Sequence, residues 1–362
     1  MASQPQVQFF LGANSPTGFY SLYDQLIDPD QAQDIYILKG GPGCGKSSLM
    51  RRVGGAMEER GLAVEYVVCS GDPDSLDAVV IPALGTALVD GTAPHVVEPK
   101  YPGVVERYVN LGDCYDKEGL SAIRGQIMSC MTGYKGCYSR SYRCLLAAEQ
   151  IEEDIRALLL TPAAEAKAVK RARGILSREV KKGGDQPGRA VQRFLGAITF
   201  RGTMTCFETV DALCKRVYEF SDSYGLAHIM LTHLASGAMA AGYDVIACPS
   251  PMAPDRLEHL LIPALSLAFV STSPTRPYPG RPYRRLRLDA MADPELLRRN
   301  KARLRFSRKV AAALVDEAVD SLAQAKAMHD DLESLYNPYV DFDRVYRTAD
   351  QITQSLLERL ED

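Results

Sequence analysis

Two stretches of this 362-residue chain repeat one another in the same order, and no other feature limits the fold so tightly. Phe10-Leu11-Gly12-Ala13 followed by Gly18 returns 184 residues later as Phe194-Leu195-Gly196-Ala197 followed by Gly202. Ile81-Pro82-Ala83-Leu84, with Ala87 and Val89, returns as Ile262-Pro263-Ala264-Leu265, with Ala268 and Val270. Tyr101-Pro102-Gly103 matches Tyr278-Pro279-Gly280. Ala148, Ile151, Glu153 and Asp154 match Ala325, Met328, Asp330 and Asp331. The offset drifts from 184 to 181 to 177, as small loop deletions would produce. Such a chain is expected to fold as two similar halves, 1–183 and 188–362, joined by the Gly- and Lys-rich linker at 181–188.

Each half has one coarse plan. A strand near 35–39 or 216–220 leads through a loop to a helix ending near Gly61 or Gly242. A second strand, a short helical turn and a buried strand follow. Strands alternating with helices predict an α/β fold with a parallel sheet in each half. The Ala-, Leu- and charge-rich regions 116–181 and 293–361, broken at Pro162 and Pro338, predict a long helical hairpin closing each half.

The first half carries a motif that the second lacks. Residues 40–47 read Gly-Gly-Pro-Gly-Cys-Gly-Lys-Ser, a complete G-x-x-x-x-G-K-[ST] pattern between the strand-like 34–39 and a helix-like run from Ser48. Gly41, Pro42, Gly43, Cys44, Gly45, Lys46, Ser47 and Ser48 are the expected nucleotide-binding positions. Glycines let backbone N–H groups turn inward around phosphate, and the helix N-terminus favours the same anion. Lys46 would reach the β/γ-phosphates, and Ser47 would ligate Mg²⁺. The corresponding stretch 221–228 of the second half lacks the Lys-Ser pair and most of the glycines. His228 is expected near the lysine position there, and nucleotide binding is expected to be lost, with at most a weak anion site on the helix N-terminus.

The duplication separates shared fold residues from residues peculiar to one half. Ala87-Leu88-Val89-Asp90 is an apolar strand ending in a carboxylate, and the second half has Ser271 where the first has Asp90. Asp90 is therefore the expected Mg²⁺-side acid. Asp74 and Asp77 have counterparts in Asp255 and Glu258, and their spacing resembles a helix-capping arrangement. Asp72 faces Ala253 and is a candidate for orienting attacking water, the alternative being a solvated turn residue. Thr92 and His95 follow Asp90 in a loop at a strand's carboxyl end, where ligands bind, and His95 is a catalytic candidate. Cys44, at a helix N-terminus, is expected to be alkylation-sensitive. Arg281 to Lys309 form a basic region with three readings: an arginine finger, a polyanion surface, or a solvated face paired with acids, the last favoured.

Composition narrows the partners. With 46% hydrophobic and 24% charged residues, net charge −3 and no Trp, a dedicated nucleic-acid binder is disfavoured. No basic-plus-apolar leader opens the chain, and the longest near-apolar runs, 78–89 and 260–270, are too short to span a bilayer. Nine cysteines without a C-x-x-C pair indicate neither a disulfide framework nor a zinc ribbon; Cys130, Cys137 and Cys144 read as a helix stripe. The chain is expected to be cytoplasmic.

Phe9-Phe10-Leu11-Gly12, Gly18-Phe19-Tyr20, the loop from Ile37 to Gly43, Asp72-Pro73-Asp74-Ser75-Leu76-Asp77, Val80-Ile81-Pro82 and Asp90-Gly91-Thr92-Ala93-Pro94-His95 resemble a poorly characterised family of bacterial, mainly Firmicutes, ATPase-like proteins. The resemblance implies two P-loop NTPase-like halves; many such proteins keep a lysine loop in both, and this chain departs in its second. The expected function is Mg²⁺-dependent ATP binding and hydrolysis at one working site beside a degenerate copy. The alternatives are a small-molecule or nucleotide kinase, and an ATP-switched module offering its long helices to a protein partner.

Overall fold

The computed structural model describes residues 6–28, 30–94 and 97–361. The first half runs β1 (Val7–Phe9), β2 (Gly12–Ser15), β3 (Gly18–Ser21), β4 (Asp34–Lys39), α1 (Lys46–Glu59), β5 (Glu65–Val68), β6 (Leu76–Ile81), β7 (Thr86–Asp90), β8 (Glu106–Asn110), α2 (Lys117–Ala122), α3 (Arg124–Leu159) and α4 (Pro162–Glu179). The second half runs β9 (Ala190–Gln192), β10 (Gly196–Thr199), β11 (Gly202–Thr205), α5 (Phe207–Leu213), β12 (Arg216–Ser221), α6 (Ala227–Ala240), β13 (Val245–Pro249), β14 (Leu257–Ile262), β15 (Leu267–Thr272), β16 (Arg284–Arg287), α7 (Pro294–Arg299), α8 (Lys301–Tyr336) and α9 (Phe342–Glu361).

The six-stranded sheets have matching orders, β1-β5-β6-β7-β4-β8 and β9-β13-β14-β15-β12-β16. They are mixed, which corrects the expected all-parallel sheet. β4 lies parallel between β7 and β8, whereas β6 is antiparallel to both β5 and β7. The cause is the repeated Ile-Pro-Ala-Leu block. Residues 82–84 form a single 3₁₀ turn ended by Gly85 at φ +56°, which reverses the chain at once. A parallel pair would need a crossover of about a dozen residues. In the second half the same turn ends at Ser266, held at φ +50°.

The Phe-Leu-Gly-Ala block repeats because its copies meet. Phe10 N–H donates to Phe194 O and Phe194 N–H to Phe10 O, each at 2.9 Å, a reciprocal contact like that across a two-fold axis. Asn14 Nδ2 donates to Ile198 O at 2.8 Å. The buried Arg193 donates to Glu65, to Gln25 O and to Leu26 O, tying the start of the second half to the first.

The closing helices do not form a hairpin within each half, as expected, but pair across the halves. The 36-residue α3 and α8 run antiparallel along one another. Cys130 Sγ donates to Met328 O at one end, Arg140 pairs with Glu317 at 2.6 Å, and Asp154 meets Arg303 at the other. Each long helix therefore delivers its successor to the opposite sheet. Val345, Ala349, Ile352 and Leu356, one stripe of α9 at helical spacing, complete the apolar core of the first half. Arg359 on α9 bonds Asp34 at 2.7 Å and Leu84 O at 2.8 Å there. Reciprocally, Ala168, Ala172 and Ile175 of α4 lie in the core of the second half beside Met230, Leu231 and Leu234 of α6. The chain breaks fall at Pro162, first residue of α4, and in the Asn337–Tyr339 turn before α9. No helix among the described residues is long and apolar enough to cross a membrane.

Candidate functional site

The glycine-rich loop joins β4, buried at the centre of the first sheet, to α1. Gly43 and Gly45 have φ of +67° and +84°, left-handed conformations that side-chained residues rarely adopt. α1 begins at Lys46 and buries Leu49, Met50, Val53 and Met57 on one stripe, which anchors its N-terminus beside the end of β4.

Lys46 folds over its own loop. Its Nζ donates to Gly40 O at 2.8 Å and Gly41 O at 2.9 Å, and lies 3.5 Å from Asp90 Oδ2. Asp90 ends β7 directly beside Leu38 of β4. Its Oδ1 accepts from Thr92 N and Thr92 Oγ1 at 2.8 and 2.6 Å, which leaves Oδ2 facing the lysine. Ser47 Oγ accepts from Leu76 N at 3.0 Å. Lys46, Ser47, Asp90 and Thr92, all expected at the site, are thus brought together around the loop. The Ser47 hydroxyl and the Asp90 carboxylate are hard oxygen donors of the kind Mg²⁺ accepts alongside phosphate oxygens, so the residues fit that ion. His95 lies outside the described residues.

Asp72 stands in the neighbouring turn with both oxygens engaged. Oδ1 accepts from Asp74 N at 3.2 Å, Oδ2 accepts from Ser75 Oγ at 3.1 Å, and Lys326 Nζ of α8 lies 3.5 Å away. The Asp74–Asp77 spacing does not cap a helix: β6 begins at Leu76, Asp74 pairs with Arg201, and the buried Asp77 accepts from Tyr23 OH at 2.8 Å. Arg201 holds the Asp74 carboxyl below its usual range. Cys44 is 1% exposed, so the expected alkylation sensitivity is overturned by burial.

Residues of the second half, joined by Tyr115 of the first, cover the loop. Gly43 N–H donates to Glu333 Oε1 on α8 at 3.2 Å. A Cβ on Gly43 would meet Asn337 Oδ1 at 2.5 Å, one on Gly41 would meet Tyr115 OH at 2.9 Å, and one on Gly45 would meet Val345 at 3.3 Å. Glu333 gives no local sequence signal. Its one trace is its counterpart at the constant offset of 177, Arg156, an inverted charge within the matched helical block. His329, Asp330 and Glu333 hold ligand-type atoms within 4.8 Å of one another, but Glu333 is already bonded to the loop.

The second half repeats this layout with different chemistry. Five residues instead of six separate β12 from α6. The deletion places His228 at the serine position, not near the lysine as expected: His228 Nδ1 accepts from Leu257 N at 2.9 Å, as Ser47 Oγ does from Leu76 N. Burial, then Arg256, lowers its pKa and keeps the ring neutral. Ala227 takes the place of the lysine. The helix N-terminus is not open to a weak anion, because Asp222 fills it: its carboxylate accepts from Tyr224 N at 3.1 Å and Ala227 N at 2.7 Å. Burial raises the Asp222 pKa while those amides oppose it. Arg156 of α3 packs on Gly225, mirroring Glu333 on Gly43.

The basic region is paired only in part. Arg285 pairs with Glu219, Arg298 and Arg299 with Glu295, and Arg303 with Asp154, whereas among the described residues no ion pair holds Lys301, Arg305, Arg308 or Lys309. It cannot supply a finger to the first loop from α8: Arg308 precedes Glu333 by 25 residues, about 38 Å along the helix. The chain matches no known protein family, no curated protein and no solved structure.

Proposed function

We propose that the first half binds ATP with Mg²⁺ and hydrolyses it, and that the second half has no equivalent site. One observation carries this reading: a loop amide already holds a carboxylate, with Lys46 and Asp90 converging beside it, so the loop is organised around negative charge. The resemblance to ATPase-like proteins points the same way.

In this reading Lys46 leaves the Gly40 and Gly41 carbonyls for the β/γ-phosphate oxygens. The loop amides, Gly43 N included, bond phosphate in place of Glu333. Ser47 Oγ and Asp90 Oδ2 are the atoms that would hold Mg²⁺, whose bound charge offsets that of the phosphates. Thr92 fixes the Asp90 carboxylate so that Oδ2 stays presented. Water attacks the γ-phosphorus and the bond to the β–γ bridging oxygen breaks, giving ADP and phosphate. Asp72 serves the turn that presents Leu76 N to Ser47, since its own oxygens are engaged.

The cover over the loop favours a second reading, an ATP-switched interaction module. Entry of a nucleotide requires Glu333 and Asn337 to withdraw, which couples the loop to the α8–α9 corner. Calorimetric titration of the purified chain with MgATP, alongside phosphate-release kinetics, tests both. ATPase function requires turnover that Lys46→Ala abolishes. Binding that Lys46→Ala weakens at least 100-fold, without turnover, selects the switch, and no binding by the intact chain refutes both.

A further inference from the structure

The second half has a cleft of about 860 Å³ above the loop that Asp222 seals. One wall is α8, which lines it with Lys301, Arg305, Arg308 and Lys309. Their spacing of four, three and one residues puts all four on one helical face. Among the described residues no carboxylate lies within ion-pair distance of any of the four; Arg308 lies over the Tyr224 ring, 5.8 Å from its centroid, and acts on the Glu152 carboxyl only through space. The acids of the same cleft are mostly engaged. Asp222 accepts loop amides, Glu258 bonds Arg276 at 2.8 Å, and Glu152 lies 3.7 Å from Arg156. Asp316 stands at the far end of the helical wall. The cations therefore exceed the acids that could neutralise them.

The duplication shows that the fold does not require this stripe. At the equivalent positions α3 carries Arg124, Met128, Met131 and Thr132, and it forms a helix of the same 36 residues. Residues needed by both halves recur in both, whereas Arg305, Arg308 and Lys309 are peculiar to the half whose loop can no longer hold phosphate. From Lys301 to Lys309 the stripe spans about 12 Å, the reach of a di- or triphosphate. Guanidinium forks match phosphate oxygens in pairs. Ile198, Met252 and Leu297 give the cleft an apolar side for the remainder of a ligand.

We propose that this cleft binds a small molecule carrying two or more phosphate groups, gripped by side chains of α8 instead of by loop amides. The site is independent of ATP binding in the first half.

Inorganic tripolyphosphate is the probe, titrated calorimetrically into the full-length Lys46→Ala chain at low and moderate salt. One equivalent should bind saturably. Adding Arg305→Met and Arg308→Met, the residues α3 itself uses, should weaken binding at least 10-fold while the thermal melt is retained. Lys309→Thr, again the α3 residue, should weaken it about threefold and guards against a misfolded double variant. Absence of saturation in Lys46→Ala, or unchanged affinity in the double variant, overturns the proposal. So does single-stranded RNA binding tighter than tripolyphosphate and lost in the same variants.

Discussion

Glu333→Gln is expected to tighten MgATP binding by about tenfold. The carboxylate sits on Gly43 N at 3.2 Å and would compete with phosphate for that amide. A hydrogen bond to a charged group contributes about 1.5–3 kcal/mol. The Glu333 side chain is 34% exposed, so solvent screening puts its share at the low end, about 1–1.5 kcal/mol. Apparent affinity scales with the open fraction, and about 1.4 kcal/mol corresponds to a factor of ten. Gln keeps the shape and removes the charge that competes with and repels phosphate. Isothermal titration with MgATP reads the effect, with Asp331→Asn as control: Asp331 is an exposed acid two residues away. A Glu333→Gln affinity equal to or weaker than that of the unaltered chain would falsify the plug. An equal gain in Asp331→Asn would show only a general loss of negative charge.

His259 should make the chain acid-labile. It is buried, its Nδ1 accepts from Ser271 N at 3.2 Å, and burial lowers its pKa from 6.5 to about 4. A depressed folded pKa means stability that is full above pH 6.5 and lost as pH falls towards 4, in total about 3 kcal/mol. Urea unfolding at pH 7 and pH 4 should show His259→Asn, which keeps an acceptor for Ser271, less sensitive to acid than the unaltered chain; equal sensitivity rejects the assignment. At the hairpin turns, Gly85→Ser should destabilise by more than about 2 kcal/mol, because φ is +56° and a Cβ would lie 2.2 Å from Gln31 O. Ser266→Gly should be nearly neutral: relief of about 1–2 kcal/mol of left-handed strain offsets loss of the bond from Lys215 N to Ser266 Oγ. Thermal melts decide, and a tolerated Gly85→Ser would contradict the strain argument.

The two-half plan, the loop motif and the strand-end acid were legible because each is written in contiguous residues. Lys46, Ser47 and Asp90 meet as their spacing implies. The sheet direction departs from the expectation although its signal is present: Pro82 to Gly85 is too short for the crossover that a parallel pair needs. His228 was misplaced by a single deletion, to which residue matching in a glycine-poor loop is blind. The partner of α9 was not legible, since the stripe of Val345, Ala349, Ile352 and Leu356 reports which face is buried and not what buries it. Glu333 was out of reach for a related reason. It lies 290 residues from Gly43, and an acid on a helix otherwise reads as solvated surface.

The exchange of closing helices sets a schedule for synthesis. A half that kept its own helix could fold as it emerged, the usual order for multidomain chains. Here the first sheet waits for residues 342–361, which are made after the whole second sheet. At the typical 5–20 residues per second, the interval between finishing the first half and supplying α9 is roughly 10–35 s. Through that interval the first core lacks Val345, Ala349, Ile352 and Leu356. The first half is translated first, yet its core is completed only after the strands of the second half have been made.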